Sequence, residues 1–125
     1  MNELAKPRIL VIDDDESIRY AVDAGLDFLG DYDVHFSEDG LKGIESMISF
    51  SPDLVLIDLV LPSASGIDVL EAIRNNREIK RPKLVVLMTG HPNPVKVKLM
   101  TDIGIDKILP KLFTLDDLER VLPDT

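Results

Sequence analysis

The sequence has 125 residues, a formal net charge of −9 at pH 7 and a hydrophobic content of 45%, which together indicate one globular domain with its own core. The lack of cysteine excludes disulfides and thiolate metal sites, and the acidic balance argues against binding of nucleic acid. Because no apolar run reaches the length of a membrane span, we expect a cytoplasmic protein that does not bind membranes.

The chain begins with a predicted buried strand and a helix that follows an acidic run. Residues 8–12 are almost entirely apolar, as in a strand covered on both faces. Helical spacing follows, and Asp15–Ser17 suit the helix N-terminus through capping and the helix dipole. Gly30 ends this helix. Capping leaves Asp13 and Asp14 unexplained.

A half-exposed strand and a second helix come next. Residues 32–36 alternate with period two, which predicts a strand at a sheet edge with His35 pointing to solvent and without a role. Residues 39–49 predict a helix, weakened by two glycines. Its apolar side carries Leu41, Ile44 and Ile48.

The stretch from Asp53 to Asp58 is a second buried strand that runs directly into a carboxylate. An ionised aspartate beside a core needs a partner, because its desolvation is costly. On this stretch alone, two interpretations are equal: Asp58 caps the next turn, or it belongs to a site at the end of a strand. A loop follows, and a helix is predicted over residues 66–75.

The remaining chain repeats the same alternation. Residues 84–88 predict a buried strand that ends in Thr89-Gly90, and residues 95–102 a short helix. A brief strand over 107–109 and a last short helix complete the pattern. The apolar residues that mark this helix are Leu115, Leu118, Val121 and Leu122. Five strand–helix repeats predict an α/β fold, a doubly wound parallel sheet with right-handed crossovers and helices on both faces.

In such a sheet the carboxyl ends of all strands lie on one edge, where ligands bind. Here that edge would collect Asp13, Asp14, Asp58, Thr89 and Lys111. Clustered carboxylates repel, so that without a cation at least one would bind a proton above its usual pKa, whereas Mg²⁺ or a similar hard ion would remove the repulsion. A carboxylate nucleophile with a metal and an ammonium is an arrangement for phosphoryl transfer to aspartate.

At these positions the sequence resembles the receiver domain of bacterial two-component response regulators. The matching motifs are Ile12-Asp13-Asp14-Asp15, Asp58 with Pro62 and Gly66, Thr89-Gly90, and Lys111. The resemblance implies a flavodoxin-like sheet of order 2-1-3-4-5 with five helices. It also implies a receiver domain over residues 8–122, between a flexible N-terminal tail (1–7) and a C-terminal tail (123–125).

Carried over by position, the resemblance implies a role for each residue of this edge. Asp58 would accept the phosphoryl group from a sensor histidine kinase or phosphotransfer protein, and the domain would promote only its own phosphorylation and dephosphorylation. Mg²⁺, or Mn²⁺, would be bound by Asp13, Asp14, Asp58 and the carbonyl of Val60. Lys111 and Thr89 would contact phosphoryl oxygens, together with the backbone amides of Val60 and Gly90.

The sequence departs from the family pattern at three positions. Leu112 stands where the family usually has proline, Ile108 replaces its switch aromatic, and Gly90 replaces an alanine. These changes put in doubt how a signal leaves the site, not its chemistry. Two residues would flank the path of a hydrolytic water: Val60, which has no polar atom, and His91, which we expect to be exposed in its proline-flanked loop.

Two alternatives remain open. One is a receiver-like interaction module that works without phosphate, which the missing aromatic and proline favour. The other is a phosphatase of the haloacid-dehalogenase type, since Asp13 and Asp15 form its Asp-x-Asp motif, although Glu16-Ser17 does not continue that motif. No second domain follows Leu122, so we expect either signalling by contact alone, with a possible homodimer through the last helices, or an origin in a longer protein whose output is unknown.

Overall fold

A computed structural model describes residues 6–90 and 93–123 of the chain. The strands are β1 (Arg8–Ile12), β2 (Asp33–Ser37), β3 (Leu54–Asp58), β4 (Leu84–Thr89) and β5 (Lys107–Pro110). The helices are α1 (Glu16–Leu29), α2 (Gly40–Phe50), α3 (Gly66–Asn75), α4 (Pro94–Ile103) and α5 (Leu115–Val121). Strands and helices alternate throughout, as the sequence predicts, and their ends lie within about two residues of the predicted ones. Within the described ranges, none of the helices has both the length and the hydrophobicity needed to cross a bilayer.

The five strands form one parallel sheet in the order β2-β1-β3-β4-β5. This confirms the predicted doubly wound, flavodoxin-like fold. In the register, Ile12 pairs with Ile57, Asp58 with Met88, and Thr89 with Pro110. The carboxyl ends of β1, β3, β4 and β5 are therefore level with one another, and this fixes the position of every polar residue that follows them.

The sheet separates two apolar clusters because successive side chains of a strand point to opposite faces. On one face, Leu10 and Ile12 pack with residues of α2, α3 and α4. On the other face, Ile9 and Val11 pack with residues of α1 and α5. All four of these side chains are fully buried, as expected for strands covered on both faces.

The predicted inner face of α2 is right for Ile44, which packs against the core, and wrong for its other two residues. Leu41 is 56% exposed and Ile48 is 37% exposed, whereas Gly40, Gly43, Met47 and Phe50 are buried. The reason is close packing: a Cβ on Gly43 would lie 2.6 Å from Cδ1 of Ile12, so the side chain of Ile12 would have to shift to admit one at the present distance between α2 and β1. Gly43, which weakens α2 as an isolated helix, thus favours its contact with the sheet.

The prediction that His35 simply points to solvent also needs correction. Its ring is half exposed, but it stacks on Phe50 with ring centres 3.7 Å apart and planes 8° from parallel. The guanidinium of Arg8 lies 5.5 Å from the centre of the same Phe50 ring. The edge strand β2 is therefore attached to the end of α2 by aromatic stacking, which its alternating pattern does not show.

Candidate functional site

Four polar side chains lie at the carboxyl edge of the sheet, each at the end of a different strand. Asp58 and Thr89 are the last residues of β3 and β4, Asp13 directly follows β1, and Lys111 directly follows β5. Asp13 is 0% exposed, Asp58 6% and Thr89 5%, which is unusual for polar residues. Burial of two carboxylates at one edge is sustained only where other groups neutralise them.

The carboxylates of Asp13, Asp14 and Asp58 form a compact cluster. One oxygen from each lies within 4.8 Å of the others, with Asp13 and Asp58 buried and Asp14 exposed. The cluster is thus open to solvent on the side of Asp14. Oxygen ligands with room for water are the donor set that Mg²⁺ prefers.

Lys111 supplies the positive charge of the site. Its ammonium donates a hydrogen bond to Oδ2 of Asp58 at 3.0 Å and lies 3.2 Å from Oδ2 of Asp13. Burial by itself would lower the pKa of Lys111, but the hydrogen bond to Asp58 and the charges of both aspartates outweigh it and raise that pKa. The side chain is therefore a cation at neutral pH, shared between two carboxylates.

Asp13 keeps unused capacity to bind a cation. Its Oδ1 accepts a hydrogen bond from the amide of Asp15 at 2.8 Å. Its Oδ2 is buried and accepts no hydrogen bond within the described residues, but it is ion-paired with the ammonium of Lys111 at 3.2 Å. Burial foremost, and the charge of Asp58, raise the pKa of Asp13 above its ordinary value, although the amide of Asp15 and the ammonium of Lys111 oppose this rise. A divalent cation would satisfy this oxygen, so the residues fit a metal site.

The loop from Asp58 to α3 borders the site and is held by α2. The carbonyl of Pro62 accepts a hydrogen bond from the amide of Gly40 at 3.1 Å. Ser63, in a left-handed conformation with φ of 66°, donates to Oδ1 of Asp39 at 3.0 Å. Val60, two residues after Asp58, is 72% exposed. The loop thus presents an apolar side chain to solvent from a fixed backbone.

The β4–α4 and β5–α5 junctions complete the edge. The amide of Lys111 donates to the carbonyl of Thr89 at 3.0 Å, which connects the two strand ends. Gly90 is exposed, and a Cβ there would lie 3.7 Å from the Cβ of Lys111. An alanine would therefore fit, and the departure from the family at Gly90 does not reflect a lack of space. His91 lies outside the described residues.

The other two departures lie on the surface. Ile108 is 40% exposed and Leu112 is 94% exposed. Neither is packed into the core.

Arg19 is a residue of this region that sequence reasoning missed. It lies in α1, and its Nη1 donates a hydrogen bond to the backbone carbonyl of Asp13 at 2.8 Å. A contact from a side chain to a backbone group six residues earlier leaves no mark in hydrophobic periodicity or in capping patterns.

The fold and the acidic edge with its lysine define the class of the protein. A family model for the response regulator receiver domain matches residues 9–122. The chain belongs to this family: it is a receiver domain of two-component response regulators. Receiver domains of the family bind Mg²⁺ at an acidic pocket and interact with histidine kinases, and they are typically not enzymes. The assignment decides against the phosphatase alternative.

Similar proteins support the same assignment. The chain is 35% identical over 113 residues to the "DNA-binding dual master transcriptional regulator RpaA" of Synechocystis, and 31% identical over 111 residues to "Response regulator MprA" of Mycobacterium ulcerans. These matches cover 90% and 89% of this chain but 46% of each relative. The chain thus spans about half the length of the curated relatives it matches.

Solved structures show the same fold. The chemotaxis response regulator CheY4 of Vibrio cholerae has a TM-score of 0.82 at 26% identity, covering 94% of this chain and 100% of that chain. A second match is the "signal receiver domain of putative Luxo repressor protein" from Vibrio parahaemolyticus. Its TM-score is 0.80 at 27% identity, and the match covers 93% of this chain and 92% of that chain.

Proposed function

We propose that this domain, over residues 8–122, accepts a phosphoryl group on Asp58 in a reaction that requires Mg²⁺ or Mn²⁺. The donor is the phosphohistidine of a sensor kinase or phosphotransfer protein in the cytoplasm. The domain promotes only its own phosphorylation and dephosphorylation and relays the signal by a conformational change. The observation that carries the proposal is the buried pair of Asp13 and Asp58 bridged by one ammonium, which Oδ2 of Asp13 meets as an ion pair without accepting a hydrogen bond.

In the proposed reaction, a carboxylate oxygen of Asp58 attacks phosphorus. The new O–P bond forms as the bond to the donor nitrogen breaks, and the donor leaves with that electron pair and takes up a proton. Asp58 suits this role because it is held at the end of a rigid, fully buried strand. Its contact with Lys111 fixes one carboxylate oxygen, Oδ2.

The metal would be held by Asp13, Asp14, Asp58 and the carbonyl of Val60. A bound divalent ion supplies positive charge that offsets the carboxylates and the incoming phosphoryl oxygens. Asp13 would contribute the oxygen that now accepts no hydrogen bond. Asp14, which is exposed, would keep the ion accessible to water.

The remaining groups would bind the phosphoryl oxygens. Lys111 already lies 3.0 Å from Asp58 and carries the cation that a phosphoryl group on that residue would need. Thr89 lies at the end of the neighbouring strand, and its hydroxyl is a donor for a second oxygen. The amides of Val60 and Gly90 follow Asp58 and Thr89 in the chain and would complete a preorganised anion site.

The test is the mass of the intact protein after incubation with acetyl phosphate and Mg²⁺. Wild type should gain one phosphoryl group, and addition of EDTA or the substitution Asp58→Asn should abolish the gain. Asp27→Asn, an exposed residue of α1 that loses the same charge, is the matched control and should be labelled like wild type. Equal labelling of Asp58→Asn would place the acceptor elsewhere.

A second candidate is an interaction module that works without phosphate. It is favoured by the apolar surface of Ile108 and Leu112, at the positions of the family's aromatic and proline. This surface adjoins α5 and would support a homodimer through the last helices. If the unphosphorylated protein dimerises and Asp58→Asn leaves the dimer and its partner contacts unchanged, this function is the correct one.

A further inference from the structure

Arg19 makes a hydrogen bond whose position matters for the acidic cluster. Its Nη1 donates to the backbone carbonyl of Asp13 at 2.8 Å in a partly buried setting. That carbonyl belongs to the peptide that joins Asp13 to Asp14. The orientation of this one peptide plane therefore affects both carboxylates that β1 brings to the site.

Other hydrogen bonds hold the residues on either side of this peptide, but none among the described residues holds the side chain of Asp14. The amide of Asp13 donates to the carbonyl of Ser37 at 3.1 Å, and Oδ1 of Asp13 accepts from the amide of Asp15 at 2.8 Å. Asp14 is exposed, so packing does not hold its side chain in place. The direction of its carboxylate thus depends on the peptide that precedes it.

We propose that Arg19 is a positioning residue that orients the Asp13–Asp14 peptide so that both carboxylates face one cation. The inference rests on the proposed function, because it concerns the same metal site. The anchor is itself rigid: Arg19 lies in the first part of α1, its amide donates to the carbonyl of Asp15 at 3.1 Å, and Asp15 caps this helix. Hydrogen bonds within the turn from β1 to α1 thereby fix the backbone that carries the buried Asp13 and the exposed Asp14.

The sign of the effect separates positioning from electrostatics. Removal of the positive charge of Arg19 makes the molecule more negative, which by itself strengthens the binding of a cation. Loss of positioning weakens it, because the carboxylates no longer converge. Arg74, an exposed arginine in the last turn of α3, gives a control with the same loss of charge in an element that does not carry the Asp13–Asp14 peptide.

The experiment is calorimetric titration of Mg²⁺ into wild type, Arg19→Met and Arg74→Met, with ¹⁵N NMR spectra of the metal-free proteins. We expect about tenfold weaker Mg²⁺ binding for Arg19→Met, as for other groups that orient metal ligands, and unchanged or slightly tighter binding for Arg74→Met. The amide signal of Asp14 should shift in Arg19→Met, whereas amide signals of β3 and β4 should not. A merely structural role would move the latter signals or lower the melting temperature without this selective change.

Equal affinity of Arg19→Met and Arg74→Met overturns the inference while leaving the proposed function intact. Absence of Mg²⁺ binding by wild type overturns the proposed site and the inference with it. Should Arg19→Met fail to fold, Arg19→Gln decides. Its side chain is too short to place a donor where Nη1 of Arg19 lies, so weaker Mg²⁺ binding than in Arg74→Met at an unchanged melting temperature supports the role, and affinity equal to that of Arg74→Met refutes it.

Discussion

Val60 borders the proposed acceptor Asp58 with an apolar and largely solvent-exposed side chain. Hydrolysis of an aspartyl phosphate requires a water molecule in line with the bond that breaks, oriented by a hydrogen-bonding group. Valine offers no such group, and at the position that the family resemblance places beside this path it could only shield the bond. At the scale of a single residue, the lifetime of the phosphorylated state therefore depends on what stands at this position.

We predict that Val60→Asn accelerates loss of the phosphoryl group several-fold, which corresponds to a barrier lower by about 1 kcal/mol. The amide side chain can orient water where valine cannot. Decay of the phosphorylated mass after removal of the donor gives the rate. Val95→Asn, at another exposed valine, is the matched control and should decay like wild type. An unchanged lifetime in Val60→Asn would show that this side chain does not shield the bond.

At the scale of elements, α2 and the β3–α3 loop are in direct backbone contact. A Cβ on Gly40 would overlap the carbonyl oxygen of Ala64, whereas a Cβ on Gly43 would meet the far end of the Ile12 side chain. A side chain end can rotate away, but a carbonyl can move only with its loop. The two glycines of one helix therefore differ in what they permit.

We predict that Gly40→Ala lowers the free energy of unfolding by about 1–3 kcal/mol or more, the usual range for overpacking. Gly43→Ala should cost less, because alanine favours the helix and Ile12 can adjust. Urea unfolding of the two variants gives the comparison. Because the displaced loop carries Val60, Gly40→Ala should also be phosphorylated more slowly than wild type at the same Mg²⁺ concentration. Equal stability of the two variants would mean that the loop yields freely.

Asp39, the N-cap of α2, gives the same junction a dependence on pH. Its carboxylate accepts a hydrogen bond from the amide of Lys42, which foremost lowers its pKa below the ordinary value of 3.8; desolvation opposes this, and the hydrogen bond from Ser63 adds to it. A carboxylate whose pKa is lower in the folded state stabilises the fold above its unfolded pKa. This contribution is lost as the pH falls through the folded pKa.

We therefore expect wild type to be more stable than Asp39→Asn at pH 6, and the gap to close below about pH 4, as Asp39 becomes protonated. Asparagine keeps the cap acceptor but not the charge, so the gap measures the ionised form. Thermal unfolding of both proteins between pH 6 and 3 checks this, with Asp27→Asn as a control outside the cap. A gap that stays constant to pH 3 would contradict the assignment.

The elements also show why sequence reasoning succeeded at the strands and misplaced part of the buried face of α2. Strands such as Leu54–Asp58 are apolar up to a polar last residue, so their positions and the residues at their ends can be predicted from the sequence alone. The buried side of α2 is set by how closely a helix can approach β1, and that distance depends on Gly43 and Ile12 together. Apolar periodicity selected the exposed Leu41 and Ile48 together with Ile44, which does pack against the core. The Arg19 contact was likewise unpredictable, because it joins a side chain to a backbone atom.

At the scale of the whole molecule, the sheet divides the interior into two clusters that share no helix. Ile73 of α3 belongs to one and Val121 of α5 to the other. Side chains on opposite faces of a sheet do not touch, and substitutions at distant sites add in free energy. The backbone of the sheet therefore separates two apolar clusters whose packing contributes independently to the free energy of unfolding.

We predict that Ile73→Val and Val121→Ala destabilise the fold additively, within about 0.5 kcal/mol. The matched pair Ile73→Val and Val69→Ala lies on one helix at a spacing of four residues, within one cluster, and should deviate from additivity. Urea unfolding of the single and double variants provides both cycles. A larger coupling across the sheet than within the cluster would refute the division.

The ammonium shared between Asp13 and Asp58 has a consequence for the valence of the ion that the site accepts. With the three carboxylates ionised and Lys111 protonated, two negative charges remain uncompensated. A divalent ion brings the sum to zero, whereas sodium leaves it negative and a lanthanide makes it positive. In Lys111→Met three negative charges would remain uncompensated, which matches a trivalent ion. Calorimetric titrations with lanthanum and with magnesium should therefore show that the ratio of their affinities shifts towards lanthanum. We therefore expect Lys111, a residue outside the proposed ligand set, to influence which class of ion the domain prefers.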